Sequence, residues 1–234
     1  MPTCTLKFEL SSYWHIGSGL GSDAIADAVV VRDVDQLPVL PGRTIKGLLR
    51  DAMELAALSG RVPGERIQKW FGSPVAVAAG RSEALSYNSA ATSGHDEGDE
   101  HESRLEQGRF SSHEGTLWFG SARLPQAWRD WARARMNATT STSVEEAREN
   151  DEILNALFTF LASTAIDSRG VALEHSLRVT EVAVPMTLYA EVRGPSDDRQ
   201  WIDDLRKCLP LLRALGSRRS RGLGRVDVSL EEGK

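Results

Sequence analysis

The stretch Leu215-Gly216-Ser217-Arg218-Arg219-Ser220-Arg221-Gly222-Leu223-Gly224-Arg225-Val226 decides how this chain is to be read. Four arginines sit among three glycines, after an amphipathic segment and before an alternating apolar run, so the glycines fall where a helix must turn into a strand. Glycine adopts positive φ freely and lets a backbone approach another molecule, while successive free N–H groups form a concavity that suits anions. Arginine adds planar, permanently charged forks that match phosphate. A helix cap followed by a solvated turn needs one glycine and no cations, so the arginine density asks for more than a cap.

Upstream, Asp197–Leu215 reads as a helix with Ile202, Leu205, Leu209 and Leu212 inward, and Pro210 kinks it or marks a join. Downstream, Val226, Val228 and Leu230 alternate over Gly224–Leu230, the period of a strand. The first strand has the same pattern, Cys4, Leu6, Phe8 and Leu10 alternating with Thr5, Lys7 and Glu9. It leads into Trp14–Asp23, a loop with glycines at 17, 19 and 21 that lacks the lysine and hydroxyl pair of a Walker sequence. His15 in that loop, taken alone, reads as a packed or surface histidine.

Asp27–Asp33 is a short β-branched run bracketed by carboxylates, and Leu37–Arg43 breaks the chain before a helix over Thr44–Leu58. Ile45, Leu48, Leu49, Ala52, Leu55 and Ala56 form its apolar stripe, with Arg43, Lys46 and Arg50 near its start. Cations at a helix N-terminus oppose the macrodipole, which points to an anion there, unless they form a solubilising face. Trp70-Phe71-Gly72-Ser73 ends the next element. Gly115–Pro125 reads as a strand, Pro125–Met136 is undecided, Ile153–Ala162 is apolar, and Thr164–Ala172 is a hairpin-like piece running on to Arg178. Ala183–Val192 alternates as one strand. This skeleton predicts an α+β fold, a ferredoxin-like (RRM-like) antiparallel sheet with two helices on one face, as a single domain over 1–234. Insertions are expected around 80–114, acidic, and around 160–182, hairpin-like.

The 234 residues, 41% of them hydrophobic, suffice for a substantial core. Cys4 and Cys208 have no paired spacing, which argues for a reduced cytoplasmic protein without a disulfide framework or zinc site. No apolar run approaches membrane-spanning length, and the first residues carry no leader pattern, so a soluble protein with no membrane partner is expected. The net charge of −5 is misleading, since His95–Glu106 contributes −5 and Val144–Glu152 contributes −4, leaving the remainder at +4. The carboxylates and histidines of His95–Glu102 lack the hydrophobic flanks that would fix metal ligands, and the segment reads as a mobile loop.

In combination, His15-Ile16-Gly17-Ser18-Gly19, Leu37-Pro38-Val39-Leu40-Pro41-Gly42-Arg43-Thr44-Ile45-Lys46-Gly47-Leu48-Leu49-Arg50 and the Leu215–Arg225 loop resemble the RAMP superfamily of CRISPR effector proteins. Trp70–Ser73, Ala122-Arg123-Leu124 and Thr164-Ala165-Ile166-Asp167 stand in the order expected there. The spacing is most similar to the backbone subunit of type III complexes. That resemblance implies a subunit that stacks with copies of itself and other effector subunits along a CRISPR guide RNA, holds its backbone, and pushes a thumb hairpin through the duplex of guide and complementary target RNA. It places His15, Gly17, Ser18, Arg43, Lys46, Arg50, Arg169, Arg178, Gly216, Arg218, Arg219, Arg221, Gly222 and Gly224 on RNA, with the thumb near Ile166–Arg178. It also puts Asp27, six residues before Asp33, in the place of the residue required for target cleavage, with a divalent metal, magnesium being the expected ion, as cofactor.

The chemistry stands on general grounds. RNA carries its own nucleophile in the 2′-OH, so splaying one nucleotide into in-line geometry supplies much of the rate. A carboxylate beside that sugar could hold a divalent ion or help to take the hydroxyl proton. Asp27 read alone is a turn or cap residue. Rival readings are a non-catalytic RNA-binding scaffold or capping subunit, a guide-processing endonuclease using His15 as general acid or base, and a small-molecule phosphate binder using Gly17–Gly21.

Overall fold

The computed structural model describes residues 1–19, 21, 26–72, 114–137 and 152–232. The acidic stretches His95–Glu106 and Val144–Asp151, and nearly all of the insertion expected at 80–114, lie outside them.

β1 (Thr3–Leu10) is the centre of the main sheet, because its alternating sequence gives it one fully apolar side to bury. β5 (Thr187–Arg193) pairs with it antiparallel on one side and β6 (Val226–Glu232) on the other. The register sets Leu6 opposite Ala190 and Leu230, and Phe8 opposite Leu188 and Val228, so one face is apolar across three strands. Two-residue β2 (Trp118–Phe119) completes the four-stranded order β2-β5-β1-β6.

That face is covered by α1 (Gly42–Leu58) and α4 (Gln200–Cys208). Ile45, Leu49, Ala52, Met53 and Ala56 recur at helical spacing and are buried, as are Trp201, Ile202, Leu205 and Cys208. Complete burial of Leu6 or Phe8 is worth about 1.5–3 kcal/mol apiece. α2 (Glu65–Phe71) is tied to α4 through Asp204, whose buried carboxylate accepts Arg66 Nη1 at 3.1 and 3.2 Å and the indole N–H of Trp70 at 3.0 Å. α3 (Gln126–Asn137) follows β2, with Arg133 donating to Asp35 at 3.1 Å.

A second, two-stranded sheet is formed by β3 (Phe158–Ser163) and β4 (Arg178–Ala183), a hairpin in the region where one was expected. Several extents differ from the sequence reading, each for a local reason. The helix expected over Asp197–Leu215 stops at Cys208. Pro210 lacks an N–H for an α-helical bond, the chain tightens into a 3₁₀ turn at Leu209–Leu211, and Ala214 then bridges Arg225 in extended form. Ala183–Val192 is not one strand: Pro185 interrupts it, so β4 pairs with β3 while β5 joins the main sheet. Only two residues of Gly115–Pro125 make a ladder, the rest continuing as isolated bridges from Ala122 to Leu40 and from Arg123 to Tyr189. Pro125–Met136, undecided from sequence, is mostly helix α3.

Candidate nucleic-acid interface

The arginine loop is held by main-chain bonds to the segment that follows β1. Ser217 N–H donates to His15 O at 2.9 Å, Gly224 N–H to Tyr13 O at 2.7 Å and Leu215 N–H to Gly224 O at 2.9 Å. The amide of Arg225 donates to Ser12 Oγ at 2.9 Å. Two glycines are dictated by this closure. At Gly216 (φ +80°) a Cβ would meet the His15 carbonyl oxygen, and at Gly224 (φ +70°) it would overlap the Leu215 carbonyl. Gly216 and Gly224 therefore serve the packing of the loop directly.

Within the loop, Arg219–Arg221 form a 3₁₀ turn flanked by Arg218 (φ 56°) and Gly222 (φ 85°) in the left-handed region. An arginine held there costs about 1 kcal/mol or more, a strain sustained by the bonds on either side. Arg219 and Arg221 are exposed, Arg218 is half-buried with Nη1 3.4 Å from Oγ of Ser163, the last residue of β3, and none of the three pairs with a carboxylate among the described residues.

The first glycine segment lies beside this loop. Gly17 bridges Val30, Ser18 N–H donates to Val29 O, and both Gly17 and Ser18 are exposed. His15 is buried, its Nδ1–H donating to the Glu181 carbonyl at 2.6 Å, and Nε2 lies under Gly17. Its ring joins the two loops to β4.

Glu181 is the residue that sequence reading missed. It is 4% exposed, with Oε2 accepting Val30 N–H at 2.9 Å and Oε1 accepting Arg32 at 2.6 Å, while Arg32 lies over the Phe158 ring at 3.9 Å. A buried carboxylate is tolerated because each oxygen is satisfied, one by a guanidinium. A lone acid inside the β-branched run Val179–Ala183 is the signal that could have pointed to it.

Asp27 is exposed and anchored to the start of β4: its Oδ2 accepts Val179 N–H at 2.7 Å and its amide donates to Val179 O at 2.9 Å. Oδ1 takes no hydrogen bond from the described residues. Asp33 faces its own turn, Oδ1 accepting the amides of Asp35 and Leu37 at 2.9 and 3.1 Å, which caps the bend before Pro38. Among the described residues no group of three or more His, Cys, Asp or Glu is placed to hold a metal ion. At Asp27 an ion would find one carboxylate oxygen, which fits magnesium only if phosphate oxygens and water complete its shell.

Arg178, the first residue of β4, is exposed opposite Ser163. Arg169 lies at the exposed tip, where the Asp167 carboxylate accepts the amides of Val171 and Arg169 and pairs with the Arg169 side chain at 3.1 Å. The Val171 amide, then the amide and the guanidinium of Arg169, hold the Asp167 carboxyl below its usual range. On α1, Leu48, Asp51 and Leu55 share a cleft with Arg219 and Ser220, while Arg50 turns the other way to Gly72 O at 3.1 Å and to Glu54. Arg43 is exposed and Lys46 half-exposed in its first turns, and neither makes an ion pair among the described residues. The structure thus sets the loop that holds Arg218, Arg219, Arg221 and Gly222 beside the loop that holds Gly17 and Ser18, leaves Arg43, Lys46 and Arg50 on a separate face of α1, and puts Arg169 out at the hairpin tip.

Over residues 7–227 the chain matches the RAMP superfamily, and it belongs to that family. It is similar in structure to a subunit of a type III-B Cmr-beta complex bound to cognate target RNA, with a TM-score of 0.59 at 11% identity over 97% of this chain and 96% of that one. A subunit of the same complex in its apo state gives 0.55 at 11% identity, with 97% and 96% coverage. These likenesses are to subunits of CRISPR effector complexes, in a fold of mixed helix and antiparallel sheet. No curated protein matches the sequence. Among the described residues no helix is long and apolar enough to cross a membrane.

Proposed function

We propose that this chain is a guide-RNA-binding backbone subunit of a CRISPR ribonucleoprotein effector complex of type III kind, working with copies of itself and other effector subunits. The observation that carries the proposal is the junction of the two loops: three arginines without carboxylate partners among the described residues stand in a loop fixed by main-chain bonds beside the one that exposes Gly17 and Ser18. Such a surface meets a phosphate backbone with charge and with close backbone approach, and reads no sequence, as a subunit that repeats along any guide requires. The order β2-β5-β1-β6 with α1 and α4 on one face supports a ferredoxin-like core. The β3–β4 hairpin, with Phe160, Ile166, Leu173 and Leu177 exposed, is the thumb in this reading.

Cleavage of complementary target RNA would rest on Asp27, which is bonded to Val179 near the loop end of the β3–β4 ladder and has one oxygen without a partner among the described residues. A divalent ion, when bound there, supplies charge neutralisation at the phosphate. Asp27 orients through its bond to Val179, and the arginine loop holds the strand. A non-catalytic scaffold is the second reading, favoured by the use of Asp27 Oδ2 as a main-chain acceptor. Purification of the chain from cells that express a guide locus tests the proposal: a discrete small RNA of uniform length is expected to copurify, and protein free of nucleic acid that fails to bind added guide would refute it.

A further inference from the structure

We propose that the open face of the four-stranded sheet carries a second binding site, for a single nucleotide unit, built from Tyr189, Trp118, Arg123 and Arg129. Strand alternation puts Thr5, Tyr189, Glu191 and Trp118 on the side away from α1 and α4, since their neighbours Leu6, Ala190, Val192 and Phe119 are buried. Beyond β2 the chain folds along that face. Arg123 exchanges main-chain hydrogen bonds with Tyr189 at 2.8 and 3.0 Å, and α3 then brings in Arg129. The result is a cleft of about 670 Å³ that also takes in Ser121 and Gln126.

Charge identifies the occupant. Glu191 is neutralised by Arg193 through two bonds of 2.8 Å, and the Arg193 guanidinium lies over the Trp118 ring at 4.7 Å. Arg123 and Arg129 make no ion pair among the described residues, and Arg129 Nε is shut off from solvent without a hydrogen-bond partner. Two guanidiniums uncompensated among the described residues, beside the Tyr189 ring and the part of the half-exposed Trp118 indole that Arg193 does not cover, form a polar concavity with an anion site and a stacking site. A nucleotide satisfies both parts, its phosphate meeting the guanidiniums and its base lying on an aromatic ring. A carboxylate or free phosphate would leave the rings unused. The site is separate from the arginine loop, where Arg219 and Ser220 face Leu48, Asp51 and Leu55 of α1, so it does not depend on guide binding there.

Titration of tryptophan fluorescence of the full chain with AMP, and with a twelve-residue oligoadenylate, tests the site. Both probes are expected to quench the signal, with quenching lost in Trp118→Phe and affinity reduced about tenfold in Arg123→Gln/Arg129→Gln. Quenching by AMP identifies free nucleotide as a sufficient source, and quenching by the oligonucleotide alone identifies an RNA strand; either supports the site. No quenching by either probe, or quenching that both variants retain, overturns it. Ultraviolet crosslinking of the oligonucleotide to the wild-type peptides holding Trp118 or Tyr189 reads the same contact should the double variant fail to fold, and its absence there overturns the site. The Arg218→Ala/Arg219→Ala/Arg221→Ala variant is expected to keep AMP quenching, so the two interfaces stand or fall separately.

Discussion

The carbonyl oxygen of His15 accepts a hydrogen bond from the amide of Ser217 at 2.9 Å, across two hundred residues of sequence. With the Gly224–Tyr13 bond it turns two loops, each a weak signal alone, into one surface. The His15 ring, bound to Glu181 O, extends the connection to β4 and so to the hairpin. The two loops and the β3–β4 hairpin are therefore mechanically joined.

Replacing Arg218, Arg219 and Arg221 together by alanine is expected to weaken guide binding and to flatten its dependence on salt. Each lost phosphate contact lowers the slope of log K against log salt by about 0.7 on a single strand, so the triple variant should lose about 2. Filter binding between 50 and 300 mM KCl, about the range over which such slopes are resolved, measures it. An unchanged slope would remove the loop from the interface.

Asp27→Asn is expected to retain guide and target binding while abolishing cutting in the guide-loaded assembly. The amide oxygen still accepts Val179 N–H, so the β4 start is kept, whereas the charge available to a metal or proton is gone. Asp33→Asn should cut near normally, because its Oδ1 caps a turn and an amide oxygen can do the same. A gel assay on labelled complementary RNA separates the cases: equal cutting by wild type and Asp27→Asn defeats the catalytic assignment.

Asp204→Ala is expected to destabilise the domain by about 1–3 kcal/mol, since it leaves the buried Trp70 N–H without an acceptor and Arg66 without its carboxylate. Thermal unfolding should fall by several degrees. A midpoint within a degree of wild type would mean that α2 and α4 do not need this link.

Burial pushes the Cys208 thiol up to about 12, and the unfolded thiol titrates near 9. The native state therefore holds a proton that the unfolded chain releases between these values, so this contribution to stability is complete below pH 9 and declines as pH rises towards 12. Unfolding midpoints at pH 8 and pH 10 should differ more in wild type than in Cys208→Ala. Equal differences would show that the thiol does not contribute.

Periodicity alone determined β1, the location of the arginine-rich loop between helix and strand, and the apolar stripe of α1 except at Leu55, which is exposed while Met53 is buried, because alternation and helical spacing report which side of an element is buried. Prolines set limits that periodicity overran: Pro185 split one expected strand and Pro210 ended the expected helix at Cys208. Only the tertiary structure decided that Gly216 and Gly224 are there to clear the carbonyls of His15 and Leu215, that His15 is a buried tie, and that Glu181 satisfies Val30 and Arg32. Apart from the short Leu215–Gly224 closure, these pairings join residues about 150 to 200 positions apart, and no local pattern encodes the partner. Tyr189 is likewise set beside Trp118, Arg123 and Arg129 on the open face of the sheet only by the β2–β5 pairing, the Arg123–Tyr189 bridge and the placement of α3.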